Sequence, residues 1–357
     1  MPMTLRTLLN SRRGVAALVA LACAAALAVA GCGSSSSSDG GTTASADLSR
    51  AARKPDSATP VRLGVTGLGI NLYWDLIAAD RAGIFRDNNL TPTFVAVSTP
   101  GDLVSAASGG STDFVSVATD TLINAEDRGA PLKIVASEAY GSYDLVAKNS
   151  IGDWEQLKGK KVGIADPGSG STVLLNALLA KHGLTPKDVT YVPAAATPQR
   201  LAALQSGAVD AALLADPANY TAIETGDFHS LGNTVDAVYP YQITTHAVNE
   251  DFAKKNPSAV IAFVTSIQQA HDWLYDPANK DAAIDAFADV ARVPRAIAER
   301  SYDAMFNRFR TMSPSAQIDP RAMAAVYDAM NTTTGQRTER SDDRYIDPAY
   351  LRAAGVN

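Results

Sequence analysis

The sequence repeats itself. Leu63-Gly64-Val65 returns as Val162-Gly163-Ile164, Gly83 as Gly183 and Thr99-Pro100 as Thr197-Pro198. Val104, Ala107, Gly110 and Asp113 return as Leu201, Leu204, Gly207 and Asp210, and the offsets of all these matches run only from 97 to 100 residues. A repeat of that size is a duplicated βαβ lobe, not a solenoid period. The apolar runs Pro60–Val65, Thr93–Val97, Phe114–Val117 and Leu132–Ala136 predict strands, with helices between them that start at Asn, Thr-Pro or Asp and stop at Gly. The second copy predicts strands at Lys161–Ala165 and Val189–Val192. Past Tyr241 comes one more strand, Ile243–Val248, then a long helix opened by Asn256-Pro257-Ser258 and a helical tail. The expected class is α/β: two lobes, each a mostly parallel sheet flanked by helices.

In such sheets ligands bind beyond the carboxyl ends of the strands. Those ends hold Gly67–Trp74, Ser98–Gly101, Thr119–Thr121 and Tyr140–Tyr143 in the first copy. In the second they hold Asp166–Thr172, Ala194–Gln199 and Asp216–Tyr220. The segment Gly168-Ser169-Gly170-Ser171-Thr172 carries the sharpest signal. A strand that turns through Gly and Ser into a helix presents free N–H groups at the positive end of the helix dipole. Three hydroxyls stand beside those donors, which makes a cradle for an anion or a neutral acceptor. An ordinary Ser-capped βα turn would read the same way. No Gly-Lys-Ser/Thr follows, so the segment is not a nucleotide P-loop.

Composition removes other classes. Of 357 residues 46% are hydrophobic, enough for a large core, and the formal net charge of -6 leaves no nucleic-acid footprint. The two cysteines, Cys23 and Cys32, precede the body, which therefore has no disulfide framework and no cysteine metal site. Arg6, Arg12 and Arg13 precede an apolar run, Val15–Ala30, that is short for a membrane span. Residues 1–31 thus read as a signal peptide. Val29-Ala30-Gly31-Cys32 resembles the bacterial lipobox, so Cys32 is the expected lipidation site and residues 32–59 a flexible tether at a membrane.

Catalytic chemistry is not announced. His182, His229, His246 and His271 are scattered, with no H-E-x-x-H and no Ser–His–Asp order that spacing supports. His182 reads as a helix C-terminal charge, and His271 as an exposed or edge residue of the long tail helix. Gly67-x-Gly69-x-x-Leu72 lacks the last Gly of a dinucleotide fingerprint. No catalytic residue, metal or cofactor is expected.

A family resemblance rests on Ala78–Phe85, Ser108–Gly110 with Asp113-Phe114, Arg128–Lys133, Leu157–Gly163, Gln205–Asp210, and Asn256-Pro257 with Trp273. These resemble the substrate-binding proteins of ABC importers for nitrate, aliphatic sulfonates, taurine and thiamine-pyrimidine precursors. The resemblance implies a type II periplasmic-binding fold with two crossovers, near Tyr143–Ala147 and Ile243–Val248. Lobe 1 would be 60–146 plus 248–357, and lobe 2 147–247. It further implies a monomer that captures a small solute between its lobes and delivers it to a permease with its ATPase. Enzymes of yeast pyrimidine synthesis share the fold but carry a cysteine-rich motif absent here. The expected ligand residues are Tyr73, Trp74, Thr119, Asp120, Tyr140, Gly168, Ser169, Gly170, Ser171, Thr172, Asp216 and Tyr239, with Tyr143, Tyr220 and Tyr241 as further aromatic rims. Carboxylates and aromatic rings at the rim favour an organic solute with an acceptor or anionic end over bare nitrate.

Overall fold

The computed structural model describes Leu48 and residues 51–97, 99–334 and 339–356. The expected signal peptide, Cys32 and most of the expected tether lie outside the described residues. Among the described residues, ten strands form two five-stranded sheets. The first contains β1 (Thr59–Val65), β2 (Leu90–Ala96), β3 (Phe114–Ala118), β4 (Leu132–Tyr140) and β10 (Gln242–Asn249), in the order β2-β1-β3-β10-β4. The second contains β5 (Asp144–Lys148), β6 (Lys161–Ile164), β7 (Thr190–Pro193), β8 (Ala211–Leu214) and β9 (Phe228–Asn233), in the order β7-β6-β8-β5-β9.

The sequence repeat is a repeat of register. Gly64 faces Val95 and Val115 on its two neighbours, and Gly163 faces Val192 and Ala212. Asp113 enters β3 and accepts the Arg62 backbone N–H at 2.8 Å. Asp210 enters β8 and accepts that of Lys161 at 3.1 Å. One carboxylate per lobe thus ties the first strand, at the middle of β1 and at the start of β6, to the strand beside it.

Each sheet is mostly parallel, as expected, with one strand against the rest: β10 runs antiparallel to β3 and β4, and β5 antiparallel to β8 and β9. Each sheet takes one strand that arrives from the other lobe, and that strand runs the opposite way. The expected divisions at 146/147 and 247/248 need correction: they fall inside β5 and β10, each of which lies whole in one sheet. The crossovers are the segments just before them, 141–143 and 234–241. They run side by side, bonded by Gly141 N–H to Tyr241 O (2.9 Å), Thr234 N–H to Tyr143 O (2.9 Å) and Tyr143 N–H to Thr234 Oγ1 (3.0 Å).

The Trp74–Arg81 and Pro257–Tyr275 helices pack on one another and on the first sheet. Trp74 is buried there, stacked on Phe287 with centroids 4.4 Å apart and met edge-on by Tyr302 and Phe306. The long helix is not capped by Asn256, whose side chain instead bonds back to Phe252 O (3.2 Å), closing the preceding Glu250–Lys255 turn. Among the described residues no helix is long and apolar enough to cross a membrane.

Candidate functional site

The Gly-Ser turn forms as its residues dictate. Ser169 has extended backbone and sits at the N-cap of the Gly170–Lys181 helix. Its Oγ donates to Asp166 O (3.0 Å) and stands 3.1 Å from Ser171 Oγ and 3.2 Å from Thr172 Oγ1. The Asp166 carboxylate takes the Gly168 N–H at 2.9 Å. The Gly170 N–H points out of the lobe, and Asp120 of the other lobe accepts it at 2.7 Å. A carboxylate therefore does occupy the helix start, and it belongs to the chain itself. Asp120 follows β3 at the beginning of the Thr119–Asp127 helix, and its other oxygen accepts the Thr121 N–H at 2.7 Å.

The lobes are closed at this point. A Cβ on Gly170 would stand 2.9 Å from Tyr241 Oη and 3.3 Å from Asp120 Oδ2, so only glycine lets the helix start come this near. A second bond, Asn71 N–H to Asp216 O at 3.1 Å, joins the lobes between the loops after β1 and β8. Farther out, Arg300 of the tail pairs with Glu224 at 2.9 Å, and its guanidinium lies 4.7 Å from the centre of the Tyr220 ring. Burial pushes the Asp120 carboxyl up, against the pull of the Gly170 and Thr121 N–H groups. Burial, with Asp120 close by, also pushes up the phenols of Tyr143, to about 12, and Tyr241.

The geometry thus brings together Asp120, Ser169, Gly170, Ser171 and Thr172, with Thr119 buried beside them and its hydroxyl unpartnered. Tyr143 and Tyr241 join them from the crossovers. Other expected residues are engaged elsewhere. Tyr73 bonds Thr66 Oγ1 at 2.9 Å, and Trp74 belongs to the aromatic cluster of lobe 1. Tyr140 meets Tyr239 edge-on, and Tyr239 Oη donates to Arg310 O at 2.9 Å on the outer side of the crossovers. Asp216 accepts from Asn219 (2.6 Å), which also donates to Asp144 (2.6 Å), and burial pushes both carboxyls up. Arg200 is buried and spends four of its five N–H donors on Leu213 O, Ala194 O, Ala195 O and Thr197 Oγ1.

A second polar constellation went unread in the sequence. Ser116 Oγ, His246 Nδ1, His246 Nε2 and Asp75 Oδ2 fall in line, at 2.5 and 2.7 Å, wholly inside lobe 1. His271 Nε2 reaches the same Asp75 oxygen at 3.3 Å. The expectation of an exposed or edge His271 is therefore corrected, because this face of the long helix turns into the core. Asp75 and His271 lie 196 residues apart, beyond the reach of any local pattern.

Residues 54–288 match the family model described as the NMT1-like family. The chain belongs to the NMT1-like family. Its relatives include substrate-binding proteins of importers. The nitrate/nitrite binding protein NrtA of Synechococcus elongatus is 29% identical over 143 residues, 37% of this chain and 30% of that protein. The family also reaches an enzyme: the yeast 4-amino-5-hydroxymethyl-2-methylpyrimidine phosphate synthase THI12 is 24% identical over 220 residues, 57% of this chain and 63% of that one. The chain thus spans less than two thirds of the length of either relative. Among solved structures, the alkanesulfonate-binding protein SsuA of Xanthomonas axonopodis pv. citri, bound to MOPS, superposes with a TM-score of 0.65 at 20% identity, covering 83% of this chain and 99% of that one. That likeness carries the periplasmic-binding fold.

Proposed function

We propose that this NMT1-like chain is the extracytoplasmic solute receptor of an ABC importer, held at the membrane by lipid on Cys32 and working as a monomer with a permease and its ATPase. The observation that carries the reading is the bond across the lobes, Asp120 to Gly170 N–H, set beside two crossovers that hinge the lobes. A receptor of this kind opens at the crossovers, takes the solute on one lobe and closes over it. Closure brings an acceptor from one lobe onto a donor from the other, and a solute inserted there meets both.

The solute that suits this pair is a small organic molecule with two ends. Its acceptor or anionic end replaces Asp120 at the Gly170 N–H and the hydroxyls of Ser169, Ser171 and Thr172. Its amino or hydroxyl end then satisfies the displaced carboxylate. A taurine-like aminosulfonate has both ends, whereas nitrate lacks the donor. An aminopyrimidine is the second reading, favoured by the Tyr143 and Tyr241 rings beside the same N–H. An enzyme on this fold is the third; the sealed position of Ser116, His246 and Asp75 speaks against their serving as its triad.

A thermal-shift and calorimetric panel of taurine, alkanesulfonates, nitrate and aminopyrimidines tests the assignment. A solute at 100 times its Kd stabilises by ~2.7 kcal/mol. Taurine-like binding that Ser169→Ala with Ser171→Ala removes supports the first reading. Turnover of a pyrimidine precursor replaces the receptor by an enzyme. Binding of nitrate alone overturns the two-ended solute.

A further inference from the structure

We propose that lobe 1 holds a structural divalent metal ion, ligated by Asp75, Glu138, His246 and His271. Asp75 opens the Trp74–Arg81 helix, Glu138 lies on β4, His246 on β10, and His271 on the Pro257–Tyr275 helix. Four separate elements therefore deliver two carboxylates and two imidazoles to one spot, and all four side chains have 0–1% exposure. One ligand atom each from Asp75, Glu138 and His246 lies within 4.8 Å of the others. His271 Nε2 stands 3.3 Å from Asp75 Oδ2 but outside that mutual range of all three, so its ring shifts inward to become the fourth ligand.

Glu138 points the assignment to an ion. Neither of its carboxylate oxygens has a hydrogen-bond partner, although both are buried. Ser116 and Thr244 offer it hydroxyls from nearby, yet neither meets it in hydrogen-bond geometry. A buried carboxylate with no donor is costly, and a second carboxylate beside it raises the cost. A divalent cation removes both penalties: two carboxylates and two neutral imidazoles around a doubly charged ion make a neutral unit. Mixed oxygen and imidazole donors suit a first-row divalent ion such as zinc.

The surroundings fit a ligand set. Ligand atoms ~2.0–2.2 Å from a tetrahedral zinc stand roughly 3.3–3.5 Å apart. The His271–Asp75 separation is already of that size, and the 2.7 Å His246–Asp75 bond opens by roughly 0.6–0.8 Å when the ion replaces its proton. Ser116 holds the far nitrogen of His246, as a supporting partner does for a metal-bound imidazole. The donors are sealed in the core, so the ion enters as the lobe folds, and a closed, all-protein set of this type is structural.

The test is refolding of the full chain from guanidinium with chelator removed, with or without one equivalent of Zn2+, followed by desalting and metal analysis. The wild type is expected to retain about one zinc per chain and to melt at a higher temperature than its zinc-free form. Glu138→Gln and His271→Gln each retain less than a tenth of that zinc, while a His229→Gln control, at a surface histidine, retains all of it. X-ray absorption of the loaded protein reads only nitrogen and oxygen neighbours. Where a variant fails to fold, wild-type stoichiometry and absorption decide alone. Wild type that refolds identically in both buffers and keeps no more zinc than the surface-exchangeable background overturns the site, as does a sulfur-ligated zinc.

Discussion

The two lobes share one topology and differ in what they do with it. In both, an Asp before the third strand ties down the first, and a Gly sits at the same register. The segment that follows the first strand diverges. In lobe 1 it is Thr66–Tyr73, and the helix after it carries Trp74 and Asp75 inward, one to an aromatic cluster and the other to buried histidines. In lobe 2 it is Ala165–Ser169, and the helix after it begins with a Gly170 N–H turned outward to Asp120. The duplicated positions build the scaffold. The departures from duplication make lobe 1 the heavily packed body and lobe 2 the donor side of the cleft.

The largest effect should come from the aromatic cluster that only lobe 1 has. Trp74→Ala removes a stacked, fully buried ring, and a loss of ~3–5 kcal/mol is expected in denaturant unfolding. A cost below ~1 kcal/mol would mean that the tail does not pack on lobe 1 as described.

Next comes a matched pair. A methyl on Gly64 would stand 2.6 Å from Leu103 Cδ1, whereas one on Gly163 would stand 3.4 Å from Ala212 Cβ, an ordinary contact. Gly64→Ala is expected to cost ~1–3 kcal/mol by overpacking and Gly163→Ala less than ~1. Equal costs would say that the lobes are packed alike.

A third difference is read by pH. Burial pushes Glu126 of lobe 1 up to about 8, against the pull of Lys133 at 3.0 Å. A carboxyl raised in the folded state binds its proton more tightly folded than unfolded. Its contribution is full below its ordinary value of 4.5 and is lost as pH climbs through about 8. Stability should therefore fall across that window, and Glu126→Gln should flatten the fall. An unchanged slope in the variant would assign the pH dependence to other groups.

The smallest effect belongs to the outer tie between the lobes. Arg300 and Glu224 are each more than two-fifths exposed, so Arg300→Ala should cost at most ~1 kcal/mol and lose even that in high salt. A larger loss would move the weight of closure from the Asp120–Gly170 bond to the rim.

Much of this was legible because it is local. Strand runs, Gly stops and the paired Asp113 and Asp210 lie on or beside the elements they govern, and the Ser169 cap sits three residues from the N–H it faces. What escaped depends on distant partners. The antiparallel direction of β5 and β10 is set by where each crossover delivers its strand, which periodicity does not record. His246 and His271 looked scattered because Asp75, which gathers them, lies 171 and 196 residues away. Tyr73 and Trp74 stand at a strand's carboxyl end, as a ligand residue would, yet the tail arrives from far along the chain to cover Trp74. Asp120 was placed at the cleft by its position after β3, but its bond to Gly170 needed both lobes.

The central claim is that the lobes part at the crossovers and close again on a solute that takes the place of Asp120 at the Gly170 N–H. The direct measurement is the interlobe distance by electron–electron resonance, with spin labels at the exposed residues Ser111 and Lys187 in a Cys23→Ser, Cys32→Ser background. Without solute the account predicts a long or broad distribution. Saturating taurine-like solute should collapse it to a single short distance in wild type and leave it long in Gly170→Ala, whose added methyl meets Tyr241. One unchanged distance in all four samples would contradict it.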